Sequence, residues 1–535
     1  MKNTIKKLFA VLLAGIMPVC MLSACSKSGG EGSWYSEVIV DQGTNTNQQT
    51  TADTSSKASA KEKKEKAEIK ENKTTDSKKS GSIDETSRAE KSATGGKTVG
   101  KNKKIDNPYK ANLGGAKIKI YSTMNDFTKS DASASKASAA TLKMSETLKK
   151  ELNCDIVVEK YNYQQLQKLT MMGIASGSYF ADVIITPIYT SIGYLTSKYA
   201  YDLSKISSMD LSKSYMNVGD GVNAYHFGNG YWAVAEPTGI ASTGSPVLFN
   251  KRILSEIGYK DNYIYDLIKK GKWNLSAFRT LAKKAVKELD GKPGTTTADR
   301  LGILQIDIGT SAFSNVLETM GAEMIKNKNG VISYNMTDPK ILDALNLAND
   351  IFLKDGTCRA ASDLDGTAQN LFMTGHSLFL SGGYLSLLKK ISGMDDDYGL
   401  VPFPSADGSD KYSVPVNWNN SCMIIPANLK GKQLTNAGSF VQAYCYACQD
   451  VINVMFDEYT SRYLCDYESK DNLYRSYNAQ RITPAVVIGG AAGAAFNGTY
   501  KVLQETSNGK SSTTLIQGTA NATKAVINDF NKKFK

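Results

Sequence analysis

The sequence predicts an α/β fold built as two lobes, and three observations lead there. From Lys117 onward, short apolar strands alternate with segments of helical period, the pattern of a parallel or mixed sheet with helices on both faces. That alternation runs through about 425 of the 535 residues, and a single core stops growing beyond roughly 250–300 residues. Residues 228–254, GNGYWAVAEPTGIASTGSPVLFNKRIL, then read as a passage between lobes. Gly228-Asn229-Gly230 is a turn signal, Tyr231–Ala235 a strand ending at Glu236-Pro237, the Gly/Ser/Thr/Pro-rich segment a soft connector, and Val247-Leu248-Phe249 a strand running into a helix.

The chain begins with Lys2, Lys6 and Lys7, followed by an apolar run from Leu8 to Val19. This is the layout of a signal peptide, and the run is too short for a span needing ~20 apolar residues. Leu22-Ser23-Ala24-Cys25 is similar to a bacterial lipobox, which predicts a signal peptide over 1–24 and Cys25 as a lipid anchor. Residues 25–108 are rich in Ser, Thr, Lys, Glu, Gly and Asn. Such a segment buries too little apolar surface to offset its ordering entropy, so it is predicted to be a disordered linker.

The elements of the folded part follow in order. Lys117–Tyr121 is an alternating strand, Ala139–Leu152 a helix, Asp155–Glu159 a strand and Tyr163–Ala175 a helix. Ala181–Thr186 (ADVIIT) is a buried-type strand stopped by Pro187, and Ile192–Tyr199 a helix. After the passage, Trp273 opens a helix with Phe278, Leu281, Ala282, Ala285 and Leu289 on its apolar face, stopping at Gly291. Leu301–Ile306, Ser377–Leu380 and Tyr398–Val401 are strands. Phe313–Met320, Pro339–Leu353 and Ala437–Met455 are helices, and Thr523–Phe534 is an amphipathic helix. Further passages are expected near 414–421 and 481–486. The predicted partition is 109–237 with 421–481 for one lobe, and 238–420 with 482–535 for the other.

The net charge is +12, of which the first 24 residues and the segment 26–108 carry +3 each. The rest is too dilute to argue for nucleic acid. Cys445-x-x-Cys448 lies in a helix-like run with no second such pair and no nearby His, so it reads as small apolar helix positions. Gly509-Lys510-Ser511 ends like a phosphate-binding loop, but the required earlier Gly falls at Gln504. With two His and no G-x-S-x-G elbow, nucleophilic hydrolysis is poorly supported. A carboxylate pair for glycan cleavage stays open, since its pairing is spatial.

The signals in residues 115–535 occur in a telling order: Ala181-Asp182-Val183, Tyr201-Asp202-Leu203, Asn229-Gly230-Tyr231-Trp232, Phe249-Asn250-Lys251, Phe372-Met373-Thr374-Gly375-His376 and Gly399-Leu400-Val401-Pro402-Phe403-Pro404. This series resembles the extracellular solute-binding proteins (family 1) of carbohydrate-type ABC importers, the group that includes maltodextrin-binding proteins. His376 stands where that family usually has Lys. The resemblance implies a two-lobe periplasmic-binding-protein-like fold with hinge strands and a central ligand cleft. It also implies a carbohydrate ligand, ABC permease subunits as partners, a monomer held at the extracytoplasmic membrane face by its lipid, and neither cofactor, metal nor catalysis. A same-fold receptor for a non-sugar solute or a sensor is the alternative.

Loops at the carboxyl ends of strands are where an open α/β sheet takes its ligand. Sugars need aromatic faces for their C–H surfaces and planar polar partners for their hydroxyls. The candidates on that rule are Asn125 and Asp126 after the first strand, Tyr189 after the Asp182 strand, and Trp232 and Glu236 at the first passage. Gly382, Gly383 and Tyr384 follow the Ser377 strand, and Asn417, Trp418 and Asn419 sit at the second passage.

Overall fold

The computed structural model describes residues 105–535, apart from 244, 293–295, 297, 307, 361–367 and 490–493. The expected signal peptide, Cys25 and nearly all of the expected linker lie outside the described residues.

Strand β1 (Ala116–Ser122) buries Ile118 and Ile120. It pairs in parallel with β2 (Cys154–Lys160), Ala116 opposite Cys154. Between them runs α1 (Lys136–Glu151), started by the Ser135 side chain. After β2, Asn162 and Gln165 form a reciprocal capping box that opens α2 (Tyr163–Ser176), and Gly177 ends it in the left-handed region. β3 (Val183–Pro187) adds to the other side of β1 in parallel and leads straight into α3 (Ile188–Thr196). A tight hairpin follows, β4 (His226–Phe227) and β5 (Gly230–Tyr231), turning at Gly228, and then β6 (Val234–Ala235).

The passage out of β6 is a helix, α4 (Pro237–Thr243), where composition suggests a soft connector. The reason is the Glu236 carboxylate. It accepts from the backbone N–H groups of Thr238 and Gly239 and from the Thr238 hydroxyl, so the free donors of a first turn are satisfied by one side chain.

The second sheet is built from β7 (Val247–Asn250), β8 (Leu301–Gln305), β11 (Cys358–Ala360), β12 (Ser377–Ser381) and β13 (Tyr398–Val401), in the order β11-β8-β12-β7-β13. A separate hairpin, β9 (Ile325–Lys328) with β10 (Val331–Tyr334), stands between β8 and β11 in sequence. Every residue of β7, β8, β12 and β13 is buried, which is why these strands read as unbroken apolar runs rather than alternating ones. Helix α5 (Leu275–Ala285) starts at the Asn274 cap, beside a fully buried Trp273 whose indole N–H donates to the Pro402 carbonyl. It stops short of the expected Leu289, which is 52% exposed. Arg300 Nε donates to the Ala285 carbonyl, and Lys287 and Arg300 exchange backbone hydrogen bonds, so the chain leaves the helix there.

The chain then returns. After the short β14 (Val414–Pro415), β15 (Ser421–Ile424) inserts antiparallel between β3 and β6 and completes the first sheet as β2-β1-β3-β15-β6. Helix α6 (Gly431–Arg462) packs on α1 and β1, with Cys445 and Cys448 fully buried. Helix α7 (Glu468–Asn478) falls in the range expected for the first lobe, yet it packs on β13 of the second sheet. There the Ser469 hydroxyl accepts from the Leu400 N–H, and Asp466 accepts from the Tyr265 hydroxyl and pairs with Lys251 at 2.6 Å. β16 (Gln480–Arg481) pairs with β14, and α8 (Pro484–Gly489) packs on α3. The last two helices, α9 (Ala494–Ser507) and α10 (Ser512–Lys533), lie against each other, and α10 also packs on β10.

Candidate functional site

Strand directions decide where the two sheets meet. β6 runs parallel to β3, so the chain leaves the first sheet at its carboxyl edge. β7 is antiparallel to β12 with Val247 opposite Ser381, so the chain enters the second sheet at the carboxyl edge of β8 and β12. The return passage leaves β13 at Val401, opposite Val247, and enters β15 at Ser421, opposite Pro187. Both passages thus join carboxyl edge to carboxyl edge, where an open α/β sheet offers its loops to a ligand.

Three segments between the sheets are bound to one another at a buried polar node. The Thr243 hydroxyl donates to Gln480 Oε1 at 2.6 Å, Asn420 Nδ2 donates to the Thr243 hydroxyl, and Gln480 Nε2 donates to the Ile240 carbonyl. All three residues are buried. Beside it, Arg481 lies 3.6 Å from both Asp220 and Glu318. Glu318 accepts from the Ser413 hydroxyl, and burial raises its carboxyl above the usual range against the pull of Arg481.

At the carboxyl edge of the first sheet the structure brings Tyr189 and Trp418 together. Their rings are 4.8 Å apart, edge to face. The pair is fixed by backbone: Tyr189 N–H donates to the Trp418 carbonyl and Ile188 N–H to that of Asn420. Trp418 and Asn419 occupy a turn whose N–H at Asn419 is held by Asn417 Oδ1 at 2.9 Å. Burial, with Tyr163 nearby, raises the Tyr189 phenol above its usual value. Asn125 and Asp126 lie on the same edge, after β1. Asn125 Oδ1 accepts from Lys160 Nζ, and Asp126 caps a short turn through Thr128 while pairing with Lys129.

On the second sheet, Gly382, Gly383 and Tyr384 follow β12. Gly382 has φ +73°, and a Cβ there would come 2.2 Å from Gln305 Nε2, so the turn requires glycine. Gly383 and Tyr384 border a void of about 10 Å³ with Leu248, Leu380 and Ser381. The Leu385 N–H donates to the Ser242 carbonyl, tying this loop to α4.

Trp232 and Glu236 are placed differently. Trp232 precedes β6 rather than following it, so it stands toward the amino end of that strand. Its indole N–H donates to the Phe227 carbonyl at 2.9 Å, and its ring packs 5.5 Å from Phe534 of the C-terminal helix. Glu236 follows β6 but is 5% exposed, and besides capping α4 it accepts from the Tyr444 hydroxyl. Cys448 Sγ lies 4.0 Å from the same oxygen. Burial and that carboxylate push the Cys445 and Cys448 thiols up, which keeps them protonated and unreactive.

Sequence reasoning passed over Gln305, Ser381 and Tyr163. The first two end β8 and β12 opposite each other, and a polar residue closing an apolar run is the signal that would have found them. Two other features stand apart from this edge. A cavity of about 310 Å³ opens at the amino half of β1, by Lys117, Lys119, Tyr179 and Asp182, and Asp182 is already committed to the Lys119 N–H and the Tyr179 hydroxyl. Glu288, Asp290 and Asp299 cluster in one loop, and each accepts from that loop's own backbone N–H groups.

No family model and no curated protein matches the sequence. Solved structures do, in large number. M. tuberculosis UspC matches with a TM-score of 0.53 at 15% identity, over 77% of this chain and all of its own. The sugar-binding protein MalE from Xanthomonas citri matches with a TM-score of 0.51 at 11% identity, over 77% of this chain and 97% of its own. The chain has the two-lobe periplasmic-binding-protein-like fold. Tyr189 and Trp418 stand at the carboxyl edge of the first sheet, and Gly383 and Tyr384 follow β12 at the carboxyl edge of the second. No helix among the described residues is long and apolar enough to cross a membrane.

Proposed function

We propose that this protein is a solute-binding protein that takes a sugar or oligosaccharide between its carboxyl edges and passes it to an ABC permease, held at the extracytoplasmic membrane face by a lipid on Cys25. The observation that carries the reading is the Tyr189–Trp418 pair, in which Trp418 is flanked in sequence by Asn417 and Asn419, with Asn125 after β1 on the same sheet edge. Partly exposed aromatic faces beside amide groups suit a ligand with apolar C–H faces and a ring of hydroxyls. Tyr384 and Gly383 supply the opposite wall. Binding closes the two walls on the ligand, and the closed form is what a permease would distinguish from the open one. Trp232 and Glu236 leave the proposed ligand set, since their polar atoms are already satisfied inside the fold.

A thermal-shift screen over mono- and oligosaccharides tests this. A saturable rise in Tm without product is expected. A rise with a non-sugar solute alone overturns the sugar assignment, and turnover of a saccharide overturns the binding-protein reading.

A further inference from the structure

We infer that Tyr163 is an outer subsite of the same cleft and that the ligand therefore spans at least two sugar rings. This rests on the sugar-binding reading. Tyr163 is the first residue of α2, placed there by the Asn162–Gln165 capping box, and it follows β2 just as Tyr189 follows β3. Its ring lies 6.4 Å from that of Tyr189, which in turn lies 4.8 Å from Trp418. The three rings make a continuous aromatic run along one edge of the first sheet.

The sheet order gives the run a direction. β15, which Trp418 precedes, is an inner strand next to β6, from which the first passage leaves. β2, which Tyr163 follows, is the strand at the far edge. The run therefore starts where the lobes are joined and ends at the rim. Tyr163 is 43% exposed, and among the described residues its hydroxyl accepts from the neighbouring Gln164 amide. A single exposed tyrosine needs no explanation. One in ring contact with a proposed stacking pair, at the open end of the row, offers an amphipathic face to whatever extends outward from that pair. Tyr163 stands two ring-to-ring steps, 6.4 Å and 4.8 Å, from Trp418, so a single pyranose stacked on Trp418 does not also cover Tyr163, whereas a chain of two or three rings does.

The experiment measures affinities by calorimetry for wild type, Tyr163→Ala and Tyr163→Phe, using glucose, mannose and xylose and the di- and trisaccharides of the malto-, cello-, manno- and xylo-series. Within the series that binds, wild-type affinity should rise by about tenfold from one ring to three, the size of one stacked-ring contact. Tyr163→Ala should reduce that rise to under about threefold while leaving monosaccharide affinity unchanged, and Tyr163→Phe should keep it. Equal weakening of short and long sugars overturns the inference, as does a trisaccharide affinity that Tyr163→Ala does not alter. A wild type that binds sugars without regard to length overturns the inference alone. A wild type that binds none of them removes the sugar reading as well.

Discussion

Two tryptophans at the two passages between the sheets have opposite fates. Trp232 donates its indole N–H to Phe227 and lies against Phe534, among the aromatic contacts Phe227–Phe530 and Phe530–Phe534. Around it, the tip of the β4–β5 hairpin meets the tip of the β9–β10 hairpin, with the Gly228 N–H donating to the Gly330 carbonyl and Asn327 donating to that of His226. Trp418 sits instead on a turn of asparagines and meets one tyrosine edge to face. Both residues are aromatic positions next to strands. The difference is the direction in which the following strand runs: β6 is parallel to β3, so Trp232 lies at the amino end and is enclosed by packing, whereas β15 is antiparallel to β3, so Trp418, which also precedes its strand, lies at the carboxyl edge.

The comparison can be broken in stability first. Trp232→Ala should cost about 3 kcal/mol and lower Tm visibly in a calorimetric scan, with sugar affinity changed less than about twofold. Lost affinity at unchanged Tm would return Trp232 to the cleft. Gly330→Ala should cost about 2 kcal/mol: φ there is +82°, and a Cβ would stand 2.1 Å from the Gly228 carbonyl. If denaturant unfolding finds Gly330→Ala neutral, the hairpin contact contributes nothing to holding Trp232 in place. Trp418→Ala should do the reverse of Trp232→Ala, weakening sugar binding at least about tenfold, or ~1.4 kcal/mol, with the unliganded Tm nearly unchanged. An unaltered dissociation constant removes Trp418 from the ligand set.

The smallest expected effect is a pH control on the second sheet that touches neither ring. Asp396 accepts from Arg252 Nε at 2.7 Å and Asn250 Nδ2 at 2.8 Å, and the guanidinium holds its carboxyl below the usual range. A lowered folded value means stability that is present above the unfolded value of about 4 and is lost as pH falls through the folded one. Asp396→Asn should therefore cost up to about 1 kcal/mol at pH 7, with the gap to wild type closing below pH 4. A gap that stays constant with pH would mean the charge is not what matters there.

Much of this was legible in sequence because it is local. Ile118, Ile120 and the ADVIIT run declare their strands, and the unbroken apolar character of Val247–Phe249 and Ser377–Leu380 declares a sheet covered on both faces. The Cys445-x-x-Cys448 positions are helical and buried, as their apolar surroundings suggest. What was not legible depends on partners distant in the chain. Trp232 finds Phe534 some 300 residues away, and no local pattern announces that contact. The α4 helix depends on how the Glu236 carboxylate turns, and a Pro-Thr-Gly sequence hides it. α7 joins the second sheet through Ser469 and Asp466, whose polar side chains look like surface residues until Leu400 and Tyr265 are placed beside them. Tyr163 was passed over because an exposed tyrosine on a helix has no meaning until the sheet order puts it in line with Tyr189 and Trp418.

The place of β15 has a consequence for how the protein comes into being. It supplies the strand between β3 and β6, yet it is made about 185 residues after β6, once the whole second sheet has been synthesised. At roughly 5–20 residues per second, that is a delay on the order of 10–40 s during which β3 has no neighbour on one side and β6 no sheet to join. Unpaired strand edges are templates for wrong partners. A nascent chain stalled or cleaved between residues 236 and 420 would carry that exposed edge permanently, so truncated products of this gene should aggregate rather than accumulate as a half-molecule with one working wall.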